Sequence, residues 1–353
     1  MPSASIDTFL ACSVMITLAL SAMVGTSKFM APYLSDLSHR NDPERLQQLT
    51  SHLLLQAGTP NNWGQSRTTV PTSFGLARAG SSIPYELDID KVTRLNSANA
   101  YSLSYSALWE ALGIKDIAFR IEVKTLFDLS IGLASNSTQA NQTTYTFDVT
   151  TRKSGMPVQT NLTGYAIIGT YANKTSSSTS SSGAGTVSVS IPNSINGTAL
   201  LIVFAKAKAN SQLVSLNAYA FEHQSTTPIS NRTFTRLNPL DDVLNASFLY
   251  PTVAISKAQL FTFNYSFSLE LKAQEAQTQE YSIPSLLDQS PMIIVLTGYN
   301  GSASFAEWVS YPQLPLQIGA DFENSEGTTT TQNYVVTIDS AMYEAVVTLG
   351  GAV

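Results

Sequence analysis

The sequence is poor in charge, cysteine and histidine, and each shortage excludes a class of function. Charged residues make up 12% of the 353-residue chain, and the formal net charge is -6. Because nucleic-acid binding depends on clustered basic side chains, we expect no nucleic-acid partner. Cys12 stands alone and forms no internal disulfide, and the three histidines (His39, His52, His223) are too far apart for a metal site. We predict no metal and no other cofactor.

The familiar catalytic motifs are also missing. The chain has no G-x-S-x-G or H-E-x-x-H sequence, and SSGAG at 181–185 lacks the remaining glycine and the helix of a phosphate-binding loop. Two acidic pairs, Asp88 with Asp90 and Asp241 with Asp242, have the oxygen ligands that calcium prefers, but helix caps and exposed turns are the simpler explanation. We therefore expect a protein that is not an enzyme.

Hydroxyl groups and glycosylation sequons are abundant instead. Ser and Thr make up 82 of the 353 residues. Nine Asn-X-Ser/Thr sequons occur, at Asn136, Asn141, Asn161, Asn173, Asn196, Asn231, Asn245, Asn264 and Asn300. Their position in the later, β-rich part predicts N-linked glycans on an extracellular region, and chance sequons in a hydroxyl-rich chain are the alternative. Asn173 is the safest site, because the Ser-rich residues 174–185 predict a mobile hairpin tip or glycan-rich loop.

The most apolar part of the chain is near its start. Residues 9–27, FLACSVMITLALSAMVGTS, carry no charge. A helix of this length reaches roughly 28 Å, about the thickness of a bilayer's hydrocarbon core, so the stretch predicts a transmembrane helix. A cleaved secretory signal is the rival interpretation, but the preceding residues MPSASID lack its basic region.

Small residues recur inside this apolar stretch. Ser13, Thr17, Ser21 and Gly25 fall at every fourth position and form one stripe along a helix. Such stripes let helix backbones approach closely, and hydroxyl groups can bond across the contact. The stripe predicts a helix that packs against copies of itself. A single anchor whose small residues fell there by chance is the alternative.

A second helix is predicted to end at an unusual junction. Pro43 suits the first turn of a helix that Gly58 ends, and a sequence rich in turn-forming residues, TPNNWG, follows at 59–64. We interpret Gly58, Pro60 and Trp63 as a hinge. Trp63 is expected to anchor the end of the helical stalk against the first globular domain.

Short helical signals follow the junction before β-strand patterns begin. Residues 87–95 (LDIDKVTRL) begin with acids and end with a base, as the helix dipole prefers, and Gly113 ends a Tyr-rich helix. From Ile117 onward apolar residues alternate, which indicates strands. The longest alternation is FTFNYSFSLEL at 261–271, and residues 333–349 are expected to form a C-terminal hairpin.

These patterns predict an α+β protein with a long N-terminal hydrophobic α-helix, a small helical collar and two antiparallel β-sandwich (Ig-like) domains. The predicted domains are the N-terminal helix and stalk (1–57), the hinge and collar (58–115), the first sandwich (116–228) and the second sandwich (229–353).

Several sequence segments in the first 125 residues resemble those of archaeal type IV pilin-like surface proteins. They are the apolar helix, LLLQAGTPNNWG (53–64), FGLA (74–77), LDIDKVTRLN (87–96) and the helix ending in ALG (111–113). The segment 147–169 resembles, more weakly, the opening strands of bacterial-type Ig-like surface domains.

The resemblance implies a structural subunit of an extracellular filament that serves adhesion. Its N-terminal helices would insert in the membrane first and then pack into a helical homopolymer, so the partner is the protein itself. Asp7 lies where pilins carry an acidic residue that pairs with a neighbour's terminal amine, although a helix cap explains it more simply. Pilin precursors carry a short basic leader before the apolar helix, and MPSASID contains no basic residue, so either the given chain starts near the processed end or the protein is a permanently anchored relative. The alternative function is a monomeric, membrane-anchored cell-surface or S-layer-associated glycoprotein.

Overall fold

The computed structural model describes residues 43–114, 117–224, 228–286, 290–322 and 329–350, together with Met15. Three short helices lie in these ranges: α1 (Pro43–Leu55), α2 (Ile89–Thr93) and α3 (Tyr105–Leu112). The carboxylate of Asp88 caps α2, the hydroxyl of Ser104 caps α3, and Gly113 ends α3 in the left-handed conformation.

Strands form most of the remaining regular structure. The first are β1 (Glu86–Leu87), β2 (Ala118–Thr125), β3 (Asp128–Gln139), β4 (Gln142–Lys153), β5 (Met156–Pro157), β6 (Thr160–Ile168), β7 (Tyr171–Ser178), β8 (Ala184–Pro192), β9 (Gly197–Ala207) and β10 (Val214–His223). The others are β11 (Thr235–Leu240), β12 (Val243–Phe248), β13 (Val253–Phe261), β14 (Ser266–Ser268), β15 (Glu270–Gln274), β16 (Thr278–Ser282), β17 (Met292–Asn300), β18 (Ala303–Tyr311), β19 (Leu316–Gly319), β20 (Thr329–Ile338) and β21 (Ala341–Gly350).

The fold is mainly β, so the predicted α+β class is wrong. Of the described residues, 55% lie in strands and 10% in helices. The longest described helix has 13 residues, and no helix in the described ranges is long and apolar enough to cross a membrane. The transmembrane-helix and pilin assignments therefore find no support in this fold. Residues 9–27, on which those assignments depended, lie outside the described residues apart from Met15, and so do Asp7, Ser13, Thr17, Ser21 and Gly25.

The first sandwich packs two sheets against each other. One contains β3, β4 and β8, with the short β5 beside β4, and the other has the order β10-β9-β6-β7. In β4 and β8 alternate residues face the space between the sheets, as the sequence pattern predicts. Its core includes Tyr145, Phe147, Val149, Val187 and Val189.

The second sandwich has sheets of order β11-β12-β16-β15 and β14-β13-β17-β18. The continuous strand predicted at 261–271 is absent, because a tight turn interrupts it. The amide of Thr262 donates to the carbonyl of Tyr265 at 2.8 Å, so the chain reverses and β14 pairs back on β13. Apolar residues continue to alternate through the turn, so the sequence pattern does not reveal the turn.

The two sandwiches stack, giving four sheets in succession. The outer face of the β6-β9-β10 sheet packs on the outer face of the β13-β17-β18 sheet through a second apolar layer. The rings of Tyr165 and Phe261 meet across this layer with centroids 4.9 Å apart. The central strands β9 and β17 are therefore buried on both faces and read as continuous apolar runs rather than as alternations.

A fifth sheet, of order β1-β20-β21-β2-β19, belongs to the collar. Its strands β2 and β21 pair antiparallel, with Ala118 opposite Gly350 and Thr125 opposite Tyr343. The three helices cover one face and share a core with Phe119, Ile121 and Tyr343. The sheet thus joins residues that the predicted boundaries assign to different domains.

Candidate functional site

The junction at residues 58–75 brings two chain segments into close backbone contact. Gly58 has φ +75°, and a Cβ atom there would lie 2.5 Å from the carbonyl oxygen of Ser73. At Gly75 a Cβ atom would lie 2.3 Å from the carbonyl oxygen of Gln56. Pro60, by contrast, is exposed. Both glycines therefore stand where a side chain has no room, and the turn they permit is fixed by packing.

Trp63 lies at the centre of this junction and is 0% exposed. Its indole nitrogen donates to the carbonyl oxygen of Gly75 at 3.2 Å, and its ring contacts Phe74 with centroids 6.2 Å apart. The guanidinium of Arg94 and the ammonium of Lys91 lie 5.7 and 6.0 Å from the ring centroid. The indole thus contacts two cations, in a geometry that attracts each of them to the ring.

Both cations are buried and are held by backbone carbonyls. The ammonium of Lys91 donates to the carbonyls of Ala57 and Ala77, each at 2.8 Å. Burial lowers the pKa of the Lys91 ammonium, since desolvation penalises its charged form. These bonds connect the end of α1 to the segment that follows the junction.

Arg94 makes an equivalent connection. Its guanidinium donates to the carbonyls of Trp63 at 2.6 Å, Thr69 at 2.7 Å and Tyr101 at 3.0 Å. Burial lowers the pKa of the Arg94 guanidinium for the same reason. From the sequence, a basic residue at this position is explained by the helix dipole alone. The contacts of its guanidinium with backbone carbonyls were not predicted. Lys91 lies within the short helix and Arg94 is its C-cap, and nothing in their spacing distinguishes them from exposed basic residues.

A second polar cluster joins the collar to the second sandwich. The hydroxyl of Tyr311 donates to Oδ1 of Asp90 at 2.5 Å, and the amide of Asp241 donates to the same oxygen at 2.9 Å. The Nδ2 of Asn99 donates to the carbonyl of Pro239 at 3.2 Å. Burial raises the pKa of Asp90 to about 7 and raises that of Tyr311 well above its usual value.

The two acidic pairs have structural roles in this arrangement. Asp88 accepts from the amides of Asp90 and Lys91 as the cap of α2, whereas Asp90 points into the joint with the second sandwich. Asp241 and Asp242 form the two-residue turn between β11 and β12, both with positive φ. No group of three His, Cys, Asp or Glu side chains in the described ranges is placed to hold a metal ion.

The sequons differ in how far their side chains reach solvent. Asn136, Asn141, Asn161, Asn196 and Asn264 are exposed, whereas Asn173, Asn231, Asn245 and Asn300 are half-buried. Asn231 is fixed by both of its polar atoms: Nδ2 donates to the carbonyl of Trp308 and Oδ1 accepts from the amide of Trp308, each at 2.9 Å. Exposure divides the nine sites into two groups that sequence alone does not separate.

The Ser-rich segment 174–185 is ordered, in contrast to the predicted mobile loop. Its first part belongs to β7 and its last part to β8, with a turn at Gly183, where φ is +73°. The hydroxyl of Ser177 donates to the carbonyl of Thr186 at 2.7 Å. Asn173 therefore lies within a strand. Its Nδ2 is 3.5 Å from the carbonyl of Ser190, so the reason for ranking it as the safest glycan site does not hold.

Comparisons with known proteins add little to this geometry. No protein-family model and no curated protein matches the chain. Among solved structures, HBP35 of Porphyromonas gingivalis is 12% identical, with 56% of this chain and 64% of that protein covered and a TM-score of 0.19. Human GIVD cytosolic phospholipase A2 is 9% identical, with 68% and 33% covered and a TM-score of 0.16. Less than two thirds of either protein's length is matched, and at such TM-scores neither likeness bears on fold or function.

Proposed function

We propose that the protein is a non-enzymatic structural subunit of an extracellular surface assembly. The observation that carries this proposal is the continuous packing of the body: four stacked sheets share apolar layers, and the collar is bonded to them through buried polar groups. A body packed in this way suits a component that holds a fixed shape.

Two further observations support an extracellular position. Five sequons are exposed on the sandwiches and none of the nine lies in the collar helices. The resemblance of the first 125 residues to archaeal surface proteins points the same way. The protein itself is the proposed partner in the assembly. Packing of N-terminal helices into a filament remains a prediction, since those residues lie outside the described ranges. The exposed sequons equally favour the alternative of a monomeric surface or S-layer-associated glycoprotein.

Shearing of intact source cells tests this proposal. The protein is expected in the sheared fraction, and immunogold labelling of unbroken cells is expected to mark the surface or an attached structure. A cytoplasmic enzyme used as a marker should stay with the cells. Recovery of the protein with that marker, and no label on unbroken cells, would contradict the proposed function.

Glycan occupancy should follow side-chain exposure. We expect glycans at exposed Asn196 and Asn264 and none at Asn231, whose amide is bound on both polar atoms. Peptide-level mass spectrometry of protein from the source cells measures occupancy at each site. An occupied Asn231 beside bare Asn196 and Asn264 would show that exposure in the folded body does not govern modification.

A further inference from the structure

The collar sheet has an open edge along most of β20. Strand β21 pairs with β20 over its whole length, from Thr329 to Ile338. On the other side β1 pairs only with Thr337 and Ile338. From residue 329 to 336, therefore, no strand of the described chain lies beside the outer edge of β20. Such an edge is a template for another strand.

The direction of one hydrogen bond shows which backbone groups point outward. The amide of Thr337 donates to the carbonyl of Tyr85, on the β1 side of the sheet. In an antiparallel strand the backbone groups of successive residues point to opposite sides. Residues at even separations from Thr337 therefore direct both their N–H and C=O groups toward the open edge. They are Thr329, Thr331, Asn333 and Val335.

The open edge lacks the features that usually prevent edge pairing. Residues 329–336 read TTTQNYVV, without charge, proline or sequon. Val335 is 55% exposed although it is a strand residue with an apolar side chain. Two other edge strands differ: β15 contains Glu270 and Lys272, and β3 contains the sequon Asn136. Because the β20 edge is neutral, two copies of it meet without repulsion between like charges.

We propose that the open edge of β20 pairs antiparallel with the same edge of a second copy of the protein, in a register centred on Gln332. In that register Thr329 lies opposite Val335 of the second copy, and Thr331 lies opposite Asn333. Every outward-pointing group then has a partner, in about eight hydrogen bonds. The side chains of directly opposite residues also lie on the same face of the joined sheet.

The contact has two-fold symmetry and closes at two copies. It joins the two collar sheets into one. A larger assembly needs a second, different contact. The biological meaning of this dimer contact rests on the proposed structural role. The formation of the contact itself is testable on the purified protein.

A pair of charge variants tests both the contact and its register. Thr331→Lys with Asn333→Lys places lysines opposite each other twice per dimer, whereas Thr331→Lys with Asn333→Glu places opposite charges there. Both substituted positions, 331 and 333, are exposed. Residues 1–328 are unchanged in both variants, so association through those residues would appear equally in both.

Sedimentation velocity over a concentration series gives the dissociation constant of the full chain. We expect a reversible dimer in the wild type, a dimer at least about tenfold weaker in the double-lysine variant, and a dimer at least as strong as wild type in the Lys/Glu variant. Circular dichroism and unfolding midpoints verify that both variants fold. A single-chain mass for the wild type up to roughly 1 mM, or equal dissociation constants in both variants, would overturn the proposal.

Disulfide trapping provides a second measurement. In the proposed register Gln332 lies opposite itself, so Gln332→Cys in a Cys12→Ser background should form a disulfide-linked dimer under mild oxidation. Asn333→Cys in the same background lies opposite Thr331 and should form far less. Equal trapping at both positions would refute the register. If the double-lysine variant assembled normally on the surface of cells, the β20 contact would have no part in that assembly. The proposed function would still stand.

Discussion

Replacing Trp63 by alanine is expected to lower the free energy of unfolding by about 3 to 5 kcal/mol, the range for truncating a fully buried aromatic side chain. The indole is 0% exposed and packs between Phe74 and two buried cations. Its removal leaves a cavity, withdraws the donor from the Gly75 carbonyl and exposes Lys91 and Arg94 to a void. Chemical denaturation of the full chain measures the loss.

Two further variants distinguish a specific anchoring role of Trp63 from the general loss of stability on removing an aromatic side chain. Trp63→Phe keeps most of the apolar volume and should cost less than the alanine substitution. Tyr299→Ala removes a ring that is 46% exposed and should cost under about 1 kcal/mol. If Trp63→Ala were as mild as Tyr299→Ala, the junction would not depend on its tryptophan.

Stability should increase as the pH falls from about 8 to about 5, by about 3 kcal/mol. Burial raises the pKa of Asp90 from 3.8 to about 7 in the folded protein. A group with a raised pKa binds its proton more tightly when folded, so its stabilisation is complete below pH 3.8 and is lost as pH rises through 7. Asp339, whose pKa burial raises to about 6, adds in the same direction.

Asp90→Asn tests the origin of this dependence. The amide oxygen can still accept from Tyr311 and from the amide of Asp241, but the side chain no longer titrates. We expect a flatter profile and a variant more stable than wild type at pH 8. Asp128→Asn, at an exposed strand position, should leave the slope unchanged. A wild-type profile as flat as that of Asp90→Asn would argue against a buried titrating carboxyl at the joint.

Local sequence patterns predicted parts of the fold but not its connections. The alternations at 145–149 and 187–191 correctly indicate strands of a sandwich, because each has one buried and one exposed face. Residues 200–204 and 292–296 show no alternation, since stacking buries both faces of their strands. The pairing of β21 with β2 depends on residues more than two hundred positions apart, and no short-range period records it.

The polar contacts of the junction were equally hidden. Sequence indicated Gly58 and Trp63, because a glycine and a tryptophan beside a helix end suggest a turn and an anchor. It gave no indication that Lys91 and Arg94 surround the indole, since their partners are carbonyls of distant loops. Backbone carbonyls are present at every residue, so the choice among them appears only in three dimensions.

The pairing of β2 with β21 has a consequence for the order of events on the ribosome. Each sandwich is encoded by a continuous run of residues between these two strands, so both can fold while the chain is still being made. The collar cannot, because two of the five strands of its sheet, β20 and β21, are supplied by residues 329–350. Until those residues emerge, the core that Ile121 shares with the helices lacks the apolar side chains of β20 and β21, such as Val336 and Tyr343. The collar therefore stays incomplete until the last strands are made, and a chain that stops before residue 329 would leave this apolar surface exposed.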